Sequence, residues 1–258
     1  PEKINIQTGI FCILKDKHQD ILWIGSDGQG VFMYYKDRHS IQSKTSKNIF
    51  SQIEKPIRAL FLDHENTLWI GTKGDGIIKI QDYDNDKSDI AERNITYIKA
   101  GSSAWRSNSV YSFAESRHKI LWSGREDGLT YYSYKDRQIH KINLKSKDNE
   151  DVEYIHSIIE LNDSALWVST VGNGVFKVSL QWNNDTPIVK SVDKFFFNKD
   201  MSHNFFFTAY REDSTSIWFG NRGYGAFHAR VKENKLDQVL IDRKTDNQLL
   251  NDIYCIKK

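Results

Sequence analysis

The chain has 258 residues, with 36 Lys and Arg against 34 Asp and Glu, a net charge of +2, 39% hydrophobic and 13% aromatic residues. The near-neutral balance and the lack of a dense basic cluster exclude nucleic acid as a partner of this segment, and the composition excludes a disordered chain. Two distant cysteines, Cys12 and Cys255, support no disulfide framework or paired-thiol zinc site, and no eighteen-residue apolar run or amino-terminal signal segment occurs.

Taken in order, the chain reads as short strands in a repeating unit. Ile4 to Thr8 reads as an outer strand of a preceding unit. Ile10-Phe11-Cys12-Ile13 is an apolar strand, followed by a polar turn at Asp16 and by Leu22-Trp23-Ile24-Gly25. A glycine turn and a third strand, Gly30-Val31-Phe32-Met33-Tyr34, come next. The same order returns at Ile57-Arg58-Ala59-Leu60, Asp63 and Leu68-Trp69-Ile70-Gly71-Thr72-Lys73-Gly74-Asp75-Gly76. It returns again at Val110-Tyr111-Ser112-Phe113, Glu115 and Leu121-Trp122-Ser123-Gly124. The fourth copy is Ile155-His156-Ser157-Ile158, Asn162 and Leu166-Trp167-Val168-Ser169. The fifth is Phe207-Thr208-Ala209-Tyr210, Asp213 and Ile217-Trp218-Phe219-Gly220.

The Trp positions, 23, 69, 122, 167 and 218, recur at a period in the range of propeller blades. Weaker fourth strands at Gln138–Ile142 and Val189–Val192 complete four short antiparallel strands per unit. Helical periodicity is not sustained anywhere. The third position of the upstream strand is always small, which predicts close approach of another layer. Residues 82–99 and 143–154 read as long polar connections between blades. At the carboxyl end, Ile253-Tyr254-Cys255-Ile256 matches the upstream strand, so a sixth blade is expected to begin near residue 252, cut off here and continuing beyond Lys258. The fold expected is therefore all-β, a β-propeller of four-stranded antiparallel blades over residues 1–258, with about five complete blades.

The combination of inner strand, acidic turn, Leu-Trp-Ile-Gly-Thr and Gly-x-Gly turn resembles the two-component regulator propeller repeat, with Leu68 to Ile78 as its best copy. The third copy departs from it with a turn one residue short, Gly124-Arg125-Glu126-Asp127-Gly128, and the fourth with Ser169 in place of Gly. The resemblance implies the periplasmic sensor region of an inner-membrane hybrid histidine kinase. This chain would then be a fragment of a seven-bladed propeller that detects an oligosaccharide, signals to polysaccharide-use genes and works as a homodimer with the rest of the sensor and the kinase. A protein-interaction scaffold is the alternative, and a propeller-fold carbohydrate-active enzyme stands behind it.

The repeated Trp residues read as packing between blades, and the glycine turns as tight turns with no helix behind them to cradle phosphate. Asp82-Tyr83-Asp84-Asn85-Asp86 has alternating oxygens, but Lys87 and Arg93 stand where a calcium loop needs Gly and Glu. No metal ligands, cofactor motif or catalytic residues are read, since neither a nucleophile motif nor a specific carboxylate pair is present. Candidate ligand-binding residues lie where the turn between second and third strands and the connection into the next inner strand emerge together. These are Trp105, Arg106 and Asn108 in a connection and Arg125, Arg222 and Tyr224 in turns. Arg58, Tyr111 and His156 join them at the variable second position of the inner strand. Trp105 stands outside the repeat beside Arg106, a pairing suited to stacking on a sugar and holding an acidic substituent.

Overall fold

A computed structural model describes residues 7–35, 40–43, 53–81, 94–101, 105–195, 204–232, 235–242 and 252–256. They form five four-stranded antiparallel sheets, the blades of an all-β propeller fold. The first blade comprises β1 (Ile10–Lys15), β2 (Ile21–Ser26), β3 (Val31–Tyr35) and β4 (Ser40–Ser43), and the second β5 (Ile57–Leu62), β6 (Leu68–Thr72), β7 (Ile77–Ile80) and β8 (Ile95–Ile98). The third holds β9 (Val110–Glu115), β10 (Ile120–Arg125), β11 (Gly128–Ser133) and β12 (Gln138–Ile142). The fourth holds β13 (Ile155–Asn162), β14 (Ala165–Thr170), β15 (Gly174–Asn183) and β16 (Thr186–Phe195), and the fifth β17 (Phe206–Arg211), β18 (Ser216–Asn221), β19 (Gly225–Lys232) and β20 (Lys235–Asp242). The chain divides into two compact units, residues 1–113 and 114–258, with the division inside β9.

In the first unit one core lies between the first two blades: Trp23, Val31 and Met33 pack with Ile57, Leu68, Ile70 and Ile78. In the second unit, Trp122 and Leu129 pack with Ile155, Val168 and Phe176, while Trp167 and Val175 pack with Phe206, Phe219 and Phe227. Both faces of a blade are thus covered, which is why the inner strands read as near-continuous apolar runs. Each large apolar side chain so buried contributes about 1.5–3 kcal/mol.

The acid in the turn after the inner strand anchors the Trp. Asp16 accepts the indole N–H of Trp23 at 3.0 Å, and Asp63 accepts that of Trp69 at 2.7 Å. The remaining blades differ from the first two. Trp122 donates to Glu160 of β13 at 3.0 Å, because the turn position after β9 that matches Asp63 is Ser116, and Glu115 accepts instead from the Tyr134 hydroxyl. In the fifth blade Glu212, not Asp213, holds Trp218 at 3.2 Å, while Asp213 accepts from the Thr215 backbone. In the fourth the matching residue is the buried Leu161, and the Trp167 indole nitrogen has no hydrogen-bond partner.

The glycine two residues after the Trp in the first, second and fifth blades is required by space. A Cβ at Gly25 would lie 2.5 Å from Cys12 Sγ and 2.7 Å from Ile57 Cγ2; at Gly220 it would lie 2.5 Å from Thr208 Cγ2 and 2.7 Å from Ile253 Cγ2. A Cβ at Gly71 would likewise lie 3.0 Å from Val110 Cγ1 and 3.2 Å from Ala59 Cβ. The first residue of one inner strand therefore seats on the glycine of the blade before it, and the small third residue leaves room for that approach. Ile253 makes this contact although residues 252–256 form no strand.

Two sequence readings shift. The fourth strand of the second blade, β8, lies within what reads as a polar connection, residues 82–99. Residues 143–154 form a loop closed by the bridge between Lys145 and Asp151. The acidic run Asp82–Asp86 falls outside the described residues, as do residues 4–6 of the expected outer strand; Thr8 lies in no strand and donates its hydroxyl to Asp27 O.

Candidate ligand-binding face

The turn between second and third strands and the connection into the inner strand do emerge together, and backbone hydrogen bonds hold them. Asp27 N donates to Gly9 O, Lys73 N to Pro56 O, Val171 N to Tyr154 O and Arg222 N to Phe205 O, at 2.8–3.1 Å. A second set joins a turn to the connection of the following blade. Gly74 and Gly76 donate to Asn108 O, Gly172 and Gly174 to Asn204 O, and Tyr154 to Glu126 O. Asn108 is therefore a bracket between blades, its side-chain oxygen accepting from Ala100 N.

At the same end, each inner strand whose register is resolved starts with a β-bulge. The register shifts between Ile10 and Cys12, Ile57 and Ala59, Ile155 and Ser157, and Phe206 and Thr208. A bulge adds an unpaired residue and re-aims its side chain. The bulged residues are Phe11, Arg58, His156 and Phe207. This corrects the fifth copy by one position: Phe206 is its first residue and Phe207, not Thr208, its second. Tyr111 holds the same place in β9, since Val110 before it seats on Gly71.

In the first unit, the Arg58 guanidinium carbon lies 3.7 Å from the centroid of the Phe11 ring. In the second, His156 meets Phe207 edge-on with centroids 5.3 Å apart, and Phe207 meets Tyr254 at 4.8 Å. Each unit thus carries a row of flat groups from adjacent inner strands, half-buried or exposed. Phe207 and Tyr254 are absent from the residues picked by sequence. The signal was the variable second position, which extends to the segment at 252–256 once the bulge sets the alignment.

The other candidates divide. Arg222 is exposed, its Nε 3.8 Å from Asp252, which also accepts from Gly223 N at 2.7 Å. Tyr224 packs against the core of the last blades. Trp105 is half-buried and Arg106 exposed in their connection. Arg125 is a correction: its side chain is fully buried, with Nε 3.4 Å from Asp127. Burial pulls its guanidinium below the ordinary value, and the nearby Asp127 charge pulls it back up. A residue so enclosed shapes its short turn and offers nothing to a ligand. Among the described residues no group of three or more His, Cys, Asp or Glu is placed to hold a metal ion.

The period, the acid-to-Trp bond and the glycine seat together define a repeat, and a family model matches one copy. Residues 51–74 match the family model of the two-component regulator propeller. Solved structures with this propeller fold include the extracellular domain assigned to hybrid two-component system BT4673 of B. thetaiotaomicron, at 16% identity and a TM-score of 0.51 over 94% of this chain and 44% of that one. The corresponding domain of BT3049 from the same organism gives 16% identity and 0.53, covering 96% of this chain and 37% of that one. PorZ, a surface component of the type-IX secretion system of Porphyromonas gingivalis, gives 13% and 0.55 over 81% and 30%. The chain thus spans less than half the length of each of these structures. No curated protein matches it.

Proposed function

We propose that the chain is part of the extracytoplasmic, ligand-sensing propeller of a hybrid two-component histidine kinase, with an oligosaccharide as its ligand. The observation that carries this reading is the row of rings at the bulged positions of the inner strands. Aromatic faces aligned at one end of the blades suit the apolar faces of successive sugar rings, while His156, Arg58 and Tyr111 add polar edges. Arg106 and Trp105 in the first unit belong to a connection, and Arg222 and Tyr224 in the second to a turn, at the end of the blades where the bulges lie. The repeat match and the likeness to extracellular domains of hybrid two-component systems support the location and the class. In this reading the chain is a fragment of a seven-bladed propeller in the periplasmic part of an inner-membrane homodimer, and it signals to polysaccharide-use genes.

Signalling then requires a ligand that favours one arrangement of the sensor, since equal affinity for two states shifts neither. Calorimetry of the chain against a panel of neutral and acidic glycan fragments tests the proposal. Heat with at least one fragment, reduced by Phe207→Ala, is expected; no heat with any fragment overturns it.

A further inference from the structure

Arg58 is set apart in its row by a fixed charge. The contact with Phe11 orders a side chain that otherwise has much rotamer freedom. Among the described residues no hydrogen bond or ion pair reaches its guanidinium, and its Nε is shielded from solvent without a partner. A half-buried cationic donor left in this state carries a desolvation cost that an incoming anion would remove. Other arginines are answered within the chain: Arg125 by Asp127, Arg211 by the carbonyls of Glu160 and Asp213, Arg222 by Asp252.

Among the described residues, Asp63 and Asp75 of the same blade are committed elsewhere. Asp63, at the far end of β5, takes Trp69 and the Thr67 N–H, and Asp75 pairs with Lys99 at 3.6 Å. Two more cations stand at the entry end of this blade. Lys73 is exposed beside Pro56 through its backbone bond, and the exposed Lys55 runs along Gly74. Glu54 and Asp27 are exposed acids of that end, and among the described residues no ion pair joins either to Arg58.

We propose that Arg58, floored by Phe11, is a subsite for the anionic group of a charged sugar, a uronic-acid carboxylate or a sulfate ester. The guanidinium fork presents parallel N–H donors to two oxygens of such a group. Tyr111, at the same position of the next inner strand, offers a ring face to the sugar body. This inference rests on the glycan-sensing reading and names the chemistry of its ligand.

Three probes with one pyranose ring test it: methyl galacturonoside, galactose 6-sulfate and methyl galactoside, each titrated into the whole chain. The readouts are calorimetry and the NMR resonance of the Arg58 side-chain N–H. One or both charged sugars are expected to bind at least tenfold more tightly than the neutral one and to shift that resonance, and which of them does so identifies the source of the anion. Arg58→Gln is expected to abolish the preference with the thermal midpoint unchanged, and Arg58→Lys, which keeps the charge without the fork, to retain part of it. Equal binding of all three sugars, or an unmoved Arg58 resonance in the native chain, overturns the proposal. Neutral glycans binding without charge preference would sink this inference and leave the sensing reading standing. Inorganic sulfate shifting the Arg58 resonance, with no heat from any glycan in the panel, would overturn the sensing reading and this inference with it, leaving a simple anion site.

Discussion

Asp63 accepts two buried donors with one carboxylate, the Trp69 indole N–H at 2.7 Å and the Thr67 backbone N–H at 2.8 Å. It fixes the Trp that fills the space between blades and closes the turn that leads to it. Asp63→Ala strands both donors, and a loss of about 1–3 kcal/mol is expected. Urea unfolding checks this as a lowered midpoint with unchanged slope. An unaltered midpoint would remove the acid from the architecture of the repeat.

The glycine seat gives a sharper contrast. Gly220→Ala places a methyl group against Thr208 and Ile253, whereas at Gly101 nothing lies within 4 Å. The first substitution is expected to cost about 1–3 kcal/mol through overpacking, and Gly101→Ala to leave the thermal midpoint within a degree or so. Adding Thr208→Ser to Gly220→Ala removes the nearer methyl and should restore part of the loss.

The buried Arg125 and Asp127 form a pair in which removing one member exposes the other. Asp127→Ala is expected to destabilise the chain by about 3–5 kcal/mol, and the double change with Arg125→Met to recover much of it. Denaturant titration of both variants decides. If the double variant is as unstable as the single one, the guanidinium serves its turn through further contacts.

The ion pair between Lys147 and Asp193, 2.6 Å apart, sets a pH dependence. The Lys147 hydrogen bond leads the causes that hold Asp193 below the ordinary carboxylate range, and the same bond raises Lys147. The Asp193 contribution is therefore full above its unfolded pKa of about 3.9 and is lost as pH falls through the depressed folded value. The Lys147 contribution is full below its unfolded pKa of about 10.4 and is lost as pH rises through the raised folded value. Asp193→Asn should flatten the acid limb of a stability–pH profile, with a smaller change at the alkaline end.

Phe207 lies between His156 and Tyr254 in its row. Phe207→Ala is expected to weaken glycan binding about tenfold, equivalent to about 1.4 kcal/mol, while Phe207→Tyr keeps the face and most of the affinity. Calorimetry with a fragment that binds the native chain measures both.

The Trp strands, their glycines and the inner strands were legible because their causes are local: period-two apolar runs, tight turns, and a glycine where Ile57, Val110 and Ile253 seat. The bulge was not legible. It inserts one residue without changing composition, and with Phe206 and Phe207 adjacent either aromatic fits the first position. Which acid anchors the Trp does not show in the sequence for a similar reason, since adjacent polar residues such as Glu212 and Asp213 differ only in which one the register turns inward. β8 was hidden because Thr96 and Tyr97 are both exposed and Ile95 and Ile98 only half-buried, which leaves little alternating apolar pattern. Arg125 was chosen for its charge in a turn, and burial that depends on Asp127 leaves no mark in a sequence.

The bonds from Gly74 and Gly76 to the Asn108 carbonyl, and from Gly172 and Gly174 to that of Asn204, use main-chain atoms on both sides. The donors are glycines at positive φ, but on the acceptor side the bond is made by the carbonyl alone. The connections it pins can exchange one residue for another, or lengthen between the pinned points, while the blades beneath stay seated. A scaffold of this kind lets the exposed residues of a connection change without disturbing the cores between the blades.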